Sequence, residues 1–237
     1  MGLDCMVKSS ASPLVDNELA ARFSLSIIEL WQNPATAAPF LAAAQSAFLW
    51  ADYCLELLQK ANPEPQPPAC RPGCNFCCYN QVELTAPEAL LMGHFLAERL
   101  DSAGLQLLLA RVEKSCRQRA GKTKIQLADR RAEFPCPLLE AGHCLAYEVR
   151  PLMCRAMHSL QVEACRQELA DPNLSKVEFY LHRHLIHVSI SQGLVNACLA
   201  LGYQPGPVDL VQAIRQYFSQ PGIAQRWLAG EVVFHDI

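Results

Sequence analysis

The stretch CRPGCNFCC, residues 70–78, places Cys70, Cys74, Cys77 and Cys78 within nine positions. A second set, Cys136, Cys144, Cys154 and Cys165, follows at intervals of 8, 10 and 11. Crowded thiols can form disulfides, act as a redox dithiol, or ligate a metal. A metal ion must draw several thiolates to about 2.3 Å, and a tight loop does so with little loss of chain entropy. Pro72 and Gly73, between the first two cysteines, are turn-formers that let the backbone double back. The neighbours Cys77 and Cys78 point in divergent directions. The pair therefore calls for two metal centres, for a cluster with several irons, or for one of the two remaining unligated. The second set lacks paired C-x2-C knuckles. Its prolines and glycine nevertheless suit a loop wrapped around something, with a metal as organiser.

Compartment bears on the choice. The N-terminus, MGLDCMVKSSASPLVDNELAARF, shows no basic n-region followed by an apolar h-region. The expectation is a reducing, cytoplasmic environment, in which clustered cysteines serve metal binding or catalysis rather than bridges. A vicinal Cys77–Cys78 disulfide would in addition be strained. Of the remaining cysteines, Cys54, Cys116 and Cys198 sit within apolar helical patterns and read as small hydrophobes, while Cys5 stands alone.

The combined pattern, C-x3-C-x2-C-C followed by P-C-P-L-L-x-x-G-x-C-x-x-Y-x-x-R-P-x-x-C-R and a later cysteine, resembles the YkgJ-like, zinc- or iron-chelating cysteine-cluster family. The matching positions are Cys70, Cys74, Cys77 and Cys78, then Pro135 to Leu138, Gly142, Cys144, Tyr147, Arg150, Pro151, Cys154, Arg155 and Cys165. The resemblance covers about residues 70 to 166, and its first spacing has three residues where some members have two. It implies a zinc or iron–sulfur site. A flagellin lysine-N-methylase carries the same cysteine motif, so the resemblance also leaves room for chemistry. Thiolates suit both metals. Eight cysteines, an adjacent pair and irregular spacings lean narrowly towards iron–sulfur, and the same eight thiolates would equally hold two zinc ions.

Other chemistry-bearing residues have quieter readings. In HRHLIH, residues 182–187, His184 and His187 share a helical face and His182 lies aside. No acidic residue completes a metalloprotease signature, so a packed or solvated face is expected. His143 and His158 adjoin the second loop as supporting donors or substitute ligands. Arg150 and Arg155 flank Cys154, either offsetting thiolate charge or pairing with Glu148 or Glu163 to fix the loop. No dinucleotide or phosphate-loop glycine motif is present.

Around this centre the pattern is helical. Helices are expected over 14–32, stopped by Asn33-Pro34, and over 36–61, ended by the proline-rich NPEPQPPAC. A short extended piece at 81–84 precedes a helix opened by a Thr85–Glu88 capping box and running to about Leu100. Further helices are expected over 102–119, 160–169, from a Ser175–Glu178 capping box to Leu201, and over 208–218 and 222–229. Residues 132–158 should be loop with a turn or two of helix. The organisation expected is an N-terminal helical hairpin (1–66), a cysteine-cluster region with inserted helices (67–170) and C-terminal helices packing on it (171–237), together one unit. The fold class is mainly α, with an irregular, metal-organised cysteine-rich centre.

Composition is ordinary for a globular protein, at 51% hydrophobic and 18% charged residues. The net charge of −3 recommends neither nucleic acid nor an anionic membrane as partner. The apolar stretches 40–58 and 185–203 carry too many polar residues to read as membrane spans. Two functions of different class follow. Either the eight cysteines hold an iron–sulfur cluster serving a redox or modification enzyme, or they hold zinc in a structural or metal-handling interaction module.

Overall fold

The computed structural model describes residues 15–32, 38–174 and 177–235. Cys5, the Asn33-Pro34 stop and the Ser175-Lys176 start of the expected capping box lie outside the described residues. In chain order come α1 (Asn17–Gln32), α2 (Pro39–Ala61), β1 (Glu83–Leu84), α3 (Ala86–Arg99), α4 (Ser102–Arg119) and α5 (Lys124–Asp129). They are followed by β2 (Leu139–Glu140), β3 (His143–Cys144), α6 (Leu152–Ala156), α7 (Val162–Ala170), α8 (Leu181–Ala200), β4 (Val208–Asp209), α9 (Leu210–Ser219) and α10 (Ile223–Leu228). The protein is mainly helical. Its strands are two-residue pairings, β1 with β4 and β2 with β3, both antiparallel. No helix among the described residues is long and apolar enough to cross a membrane.

The helix ends follow their capping chemistry. Thr85 accepts from the Glu88 amide while the Glu88 carboxylate takes the Thr85 amide, so α3 opens where the motif places it. Asp101 and Asp209 cap α4 and α9 through their carboxylates, which accept from first-turn amides. A further capping box, Thr123 with Gln126, opens α5, a six-residue helix between the expected helix 102–119 and the expected loop 132–158. The expected long helix from Ser175 starts instead at Leu181. Residues 177–180 stay extended because their backbone serves other partners. The Glu178 carbonyl accepts from the Leu160 amide (2.9 Å), and the Tyr180 amide donates to the His158 ring (2.9 Å).

Two apolar cores share α3. In one, Leu90, Met92 and Leu96 pack with Leu108, Val112, Ile214 and Trp227. In the other, Leu91 joins Phe23, Ile27, Ile190 and Leu194 from α1 and α8, with the alanine face of α2 at Ala43, Ala44, Ala47 and Ala51. Small side chains on that face let helix backbones approach closely. Apolar residues of the cysteine-bearing stretch reach into both cores. Leu138 and Ala146 enter the first and Leu152 the second, all at 2% exposure or less.

Gly193 is where α8 meets α1 most tightly, since a Cβ there would lie 2.6 Å from the Ala20 carbonyl oxygen. Backbone cannot swing aside as a side chain can. Gly193→Ala should therefore be destabilising by about 1–2 kcal/mol, even after the roughly 1 kcal/mol that alanine gains in a helix interior. Urea denaturation followed by circular dichroism would measure it.

Candidate metal centre

Three local devices place the first four cysteines. The proline-rich connection after α2 is clamped to the start of α8: both Glu64 carboxylate oxygens accept from Arg183 (2.6 and 2.8 Å), and the Tyr180 hydroxyl donates to the Gln66 carbonyl (2.8 Å). The chain then reaches Ala69, whose amide donates to the Ser159 carbonyl (2.8 Å). Residues 71–74 form a β-turn closed by the Cys74 amide on the Arg71 carbonyl, with Pro72 second and Gly73 third at φ 86°. That positive φ is the type II requirement that glycine meets without strain. A 3-10 turn, Phe76–Tyr79, carries Cys77 and Cys78.

The second set is stitched to the first through backbone. The Cys136 amide donates to the Cys78 carbonyl at 2.8 Å. Cys144 lies in the β2–β3 hairpin, opposite Leu139, behind a two-residue turn in which Ala141 and Gly142 both have positive φ (46° and 82°). Cys154 rides on α6. The Leu152 amide near the start of that helix donates to Glu88 Oε1 (2.8 Å), whose other oxygen accepts from the Thr85 amide (2.9 Å) and hydroxyl (2.8 Å). Cys165 comes from α7. Its thiol meets the Ser159 hydroxyl, and the Cys70 thiol meets the Ser159 backbone.

The eight cysteines are all unbridged. Their electrostatic neighbourhoods fall into two groups joined by one residue. Cys70, Cys74 and Cys165 act on one another, and Cys136 and Cys144 act on each other and on both Cys78 and Cys154. Cys77 is within reach of both groups. As the side chains stand, no three His, Cys, Asp or Glu among the described residues are arranged so that they could hold a metal ion. In type the thiols are soft-metal donors.

Burial pushes the Cys70, Cys144, Cys154 and Cys165 thiols up, and raises Cys136 to about 12. Cys77 moves the other way, downward, because the Cys78 thiol hydrogen-bonds to it and the Arg150 guanidinium lies near. Cys78, as the partner in that bond, is raised. Apart from Cys77, the shifted thiols of the cluster thus favour their protonated form.

The flanking arginines divide their work. Arg150 stacks over the Tyr147 ring at 4.0 Å and bears on the Cys77 and Cys144 thiols, the charge-offsetting arrangement. Arg155 donates to the Arg150 and Glu148 carbonyls (3.0 and 2.9 Å) and covers the Phe48 ring at 4.2 Å. Its nearest ion-pair partner is Asp52, at 3.8 Å, rather than Glu148 or Glu163. The histidines are occupied elsewhere. His158 uses Nδ1 on the Ala156 carbonyl and Nε2 on the Tyr180 amide, so both nitrogens are committed. His182 pairs with Glu64, His184 meets the Phe179 ring edge, and His187 is buried with Nδ1 on the Arg183 carbonyl. His143 is exposed, with Nδ1 on the Ala141 carbonyl. Cys198 is fully buried, and Cys54 and Cys116 are half-buried against the cores, as packing residues should be. Ser159 and the second role of Glu88 had no signal in the sequence, since both act on partners far along the chain. Comparison with models of known families, with curated proteins and with solved structures found no match to this chain.

Glu88 is 1% exposed, and burial raises its pKa against the opposing effect of its three donors. Glu88→Ala leaves the two amides and the hydroxyl unpaired and should be destabilising by about 3 kcal/mol in urea denaturation. Glu88→Gln keeps an acceptor and should lose clearly less. Because the folded carboxyl holds its proton to higher pH than the unfolded one, native stability from this group falls as pH rises from the ordinary Glu range through the raised pKa. Denaturation at a series of pH values should show that decline in the wild type and its absence in Glu88→Gln.

Proposed function

We propose that this chain is a metal-binding protein whose eight cysteines hold an iron–sulfur centre, in the manner of the YkgJ-like proteins that its motif resembles. The observation that carries the reading is the gathering of eight unbridged thiols from separate turns, a hairpin and two helices into two adjoining groups. With Cys77 assigned to the first group, each comprises four thiols: Cys70, Cys74, Cys77 and Cys165 in one, Cys78, Cys136, Cys144 and Cys154 in the other. Four thiolates are the usual complement of a [2Fe–2S] or [4Fe–4S] cluster.

When bound, such a centre supplies electron transfer or a site to position a substrate. The chain's own residues do the rest. Arg150 offsets thiolate charge, Ser159 steadies Cys70 and Cys165, and Glu88 holds the backbone before Cys154. A reducing, cytoplasmic setting suits this reading, because it keeps the thiols available. Nothing in the charge balance argues for a nucleic-acid or membrane partner. Zinc in the same two sets is the competing reading, and would make the protein a structural or metal-handling module.

Anaerobic purification followed by elemental analysis and visible spectroscopy separates these outcomes. Iron with acid-labile sulfide and a brown chromophore supports the proposal, whereas two equivalents of zinc without iron or sulfide replaces it with the structural module. Cys74→Ser and Cys144→Ser should each lose metal, with Cys198→Ala retaining it at a packing loss of about 1 kcal/mol. Because Leu138, Ala146 and Leu152 anchor the second loop independently, Cys144→Ser should keep the helical circular-dichroism spectrum. Unchanged metal content in both serine variants would overturn the ligand assignment.

A further inference from the structure

Beside the second thiol group lies a cavity of about 1120 Å³, bounded by α4, α6, α8, α9 and the β1–β4 pair. Small-molecule sites run to roughly 300–1,000 Å³, so this space is large enough for an organic ligand. Part of its wall is apolar, with Met153 and Met157 from α6 and its end, and Val188 and Val195 from α8. The two methionines flank Cys154, and the lining residues Arg119 and Asp209 act on the Cys136 thiol. The cavity and the thiols therefore share a wall.

Its polar groups are distributed unequally. Three acidic residues line it, and each is taken by a lining base. Asp209 is held by Arg119 in a two-point pair (3.1 and 2.6 Å), Glu113 by Arg215 (2.8 Å), and Glu83 by Lys124. Two lining cations are left over, Arg117 and Lys122, which make no ion pair with a described carboxylate. Lys122 caps the Gln118 carbonyl, faces the Phe134 ring at 5.8 Å and feels the Glu133 carboxylate without pairing with it. Gln212 also lines the space, and its Oε1 is buried with no hydrogen-bond partner. An acceptor left in that state keeps its desolvation cost unrepaid, which a ligand donor would relieve.

We propose that this cavity binds a small organic anion: an apolar body against Met153, Met157, Val188 and Val195, an N–H or O–H donated to Gln212 Oε1, and a carboxylate or sulfonate at Arg117 and Lys122. The inference rests on the cavity alone and holds whether the neighbouring thiols carry iron, zinc or neither.

The probe is 8-anilino-1-naphthalenesulfonate, which has an apolar body, one N–H and one anionic group, compared with its uncharged counterpart N-phenyl-1-naphthylamine. Titration calorimetry on the full chain as purified should give one saturable site for the anion, weakened at raised salt. Arg117→Glu combined with Lys122→Glu should lower affinity for the anion at least tenfold and leave the uncharged compound within about twofold. Gln212→Leu should weaken both compounds, since both carry the N–H. Ser191→Trp, which projects an indole from the α8 wall, should abolish binding of both; if that variant does not fold, the surface charge reversal decides alone. Absence of saturable binding, or equal loss of both compounds on charge reversal, would overturn the proposal. Metal analysis of the same samples keeps this result separate from the fate of the metal reading.

Discussion

A single buried carboxylate governs where the second set of thiols can lie. Glu88 belongs to α3, the helix shared by both apolar cores, and it accepts at once from its own capping residue and from the Leu152 amide 64 residues away. A lone charge in that position would be very unfavourable, and its three donors make it tolerable. The same contacts fix α6 against α3 and thereby the height of Cys154 above the cores. Local helix chemistry and long-range loop placement are thus one interaction. The irregular stretch that carries Cys136, Cys144 and Cys154 owes its order partly to this group and to the apolar anchors Leu138, Ala146 and Leu152.

Placed on that frame, the thiols set an electrostatic problem. Seven neighbouring sulfurs and Cys77 cannot ionise together without compensation, and burial holds most of them protonated. The available positive charge is uneven. Arg150 reaches Cys77 and Cys144, whereas Arg155 spends its donors on carbonyls of the same loop. Two arginines five residues apart in one motif therefore differ in kind, one acting on charge and the other on shape.

Long helices with a local cap or breaker were legible. The Thr85–Glu88 box opened α3 as expected, Gly202 follows the end of α8 with φ 78°, and the 102–119 span matches α4. The short α5 escaped notice because Lys124–Asp129 has too few residues for periodicity to register, although its own Thr123–Gln126 box was present. The start of α8 was misplaced because residues 177–180 give their backbone to Leu160 and His158, an exchange invisible from spacing. The cysteines themselves were plain in the sequence, but the expected divergence of Cys77 from Cys78 is not what the structure shows, since the two thiols hydrogen-bond to each other. What spacing alone withheld was the cradle around them. Ser159 carries no signature, and the commitment of both His158 nitrogens to backbone emerges only when distant segments meet.

The hairpin at Ala141-Gly142 has a consequence for how this loop tolerates change. Its two turn residues both adopt left-handed backbone and lock Cys144 across from Leu139. Strand side chains alternate between faces, so lengthening or shortening the turn by one residue would send the Cys144 sulfur to the opposite side. Exchange of side chains around the hairpin leaves that geometry alone. The chain count between Cys136 and Cys144, more than the identity of the residues filling it, is therefore the dimension along which this loop is least free to vary.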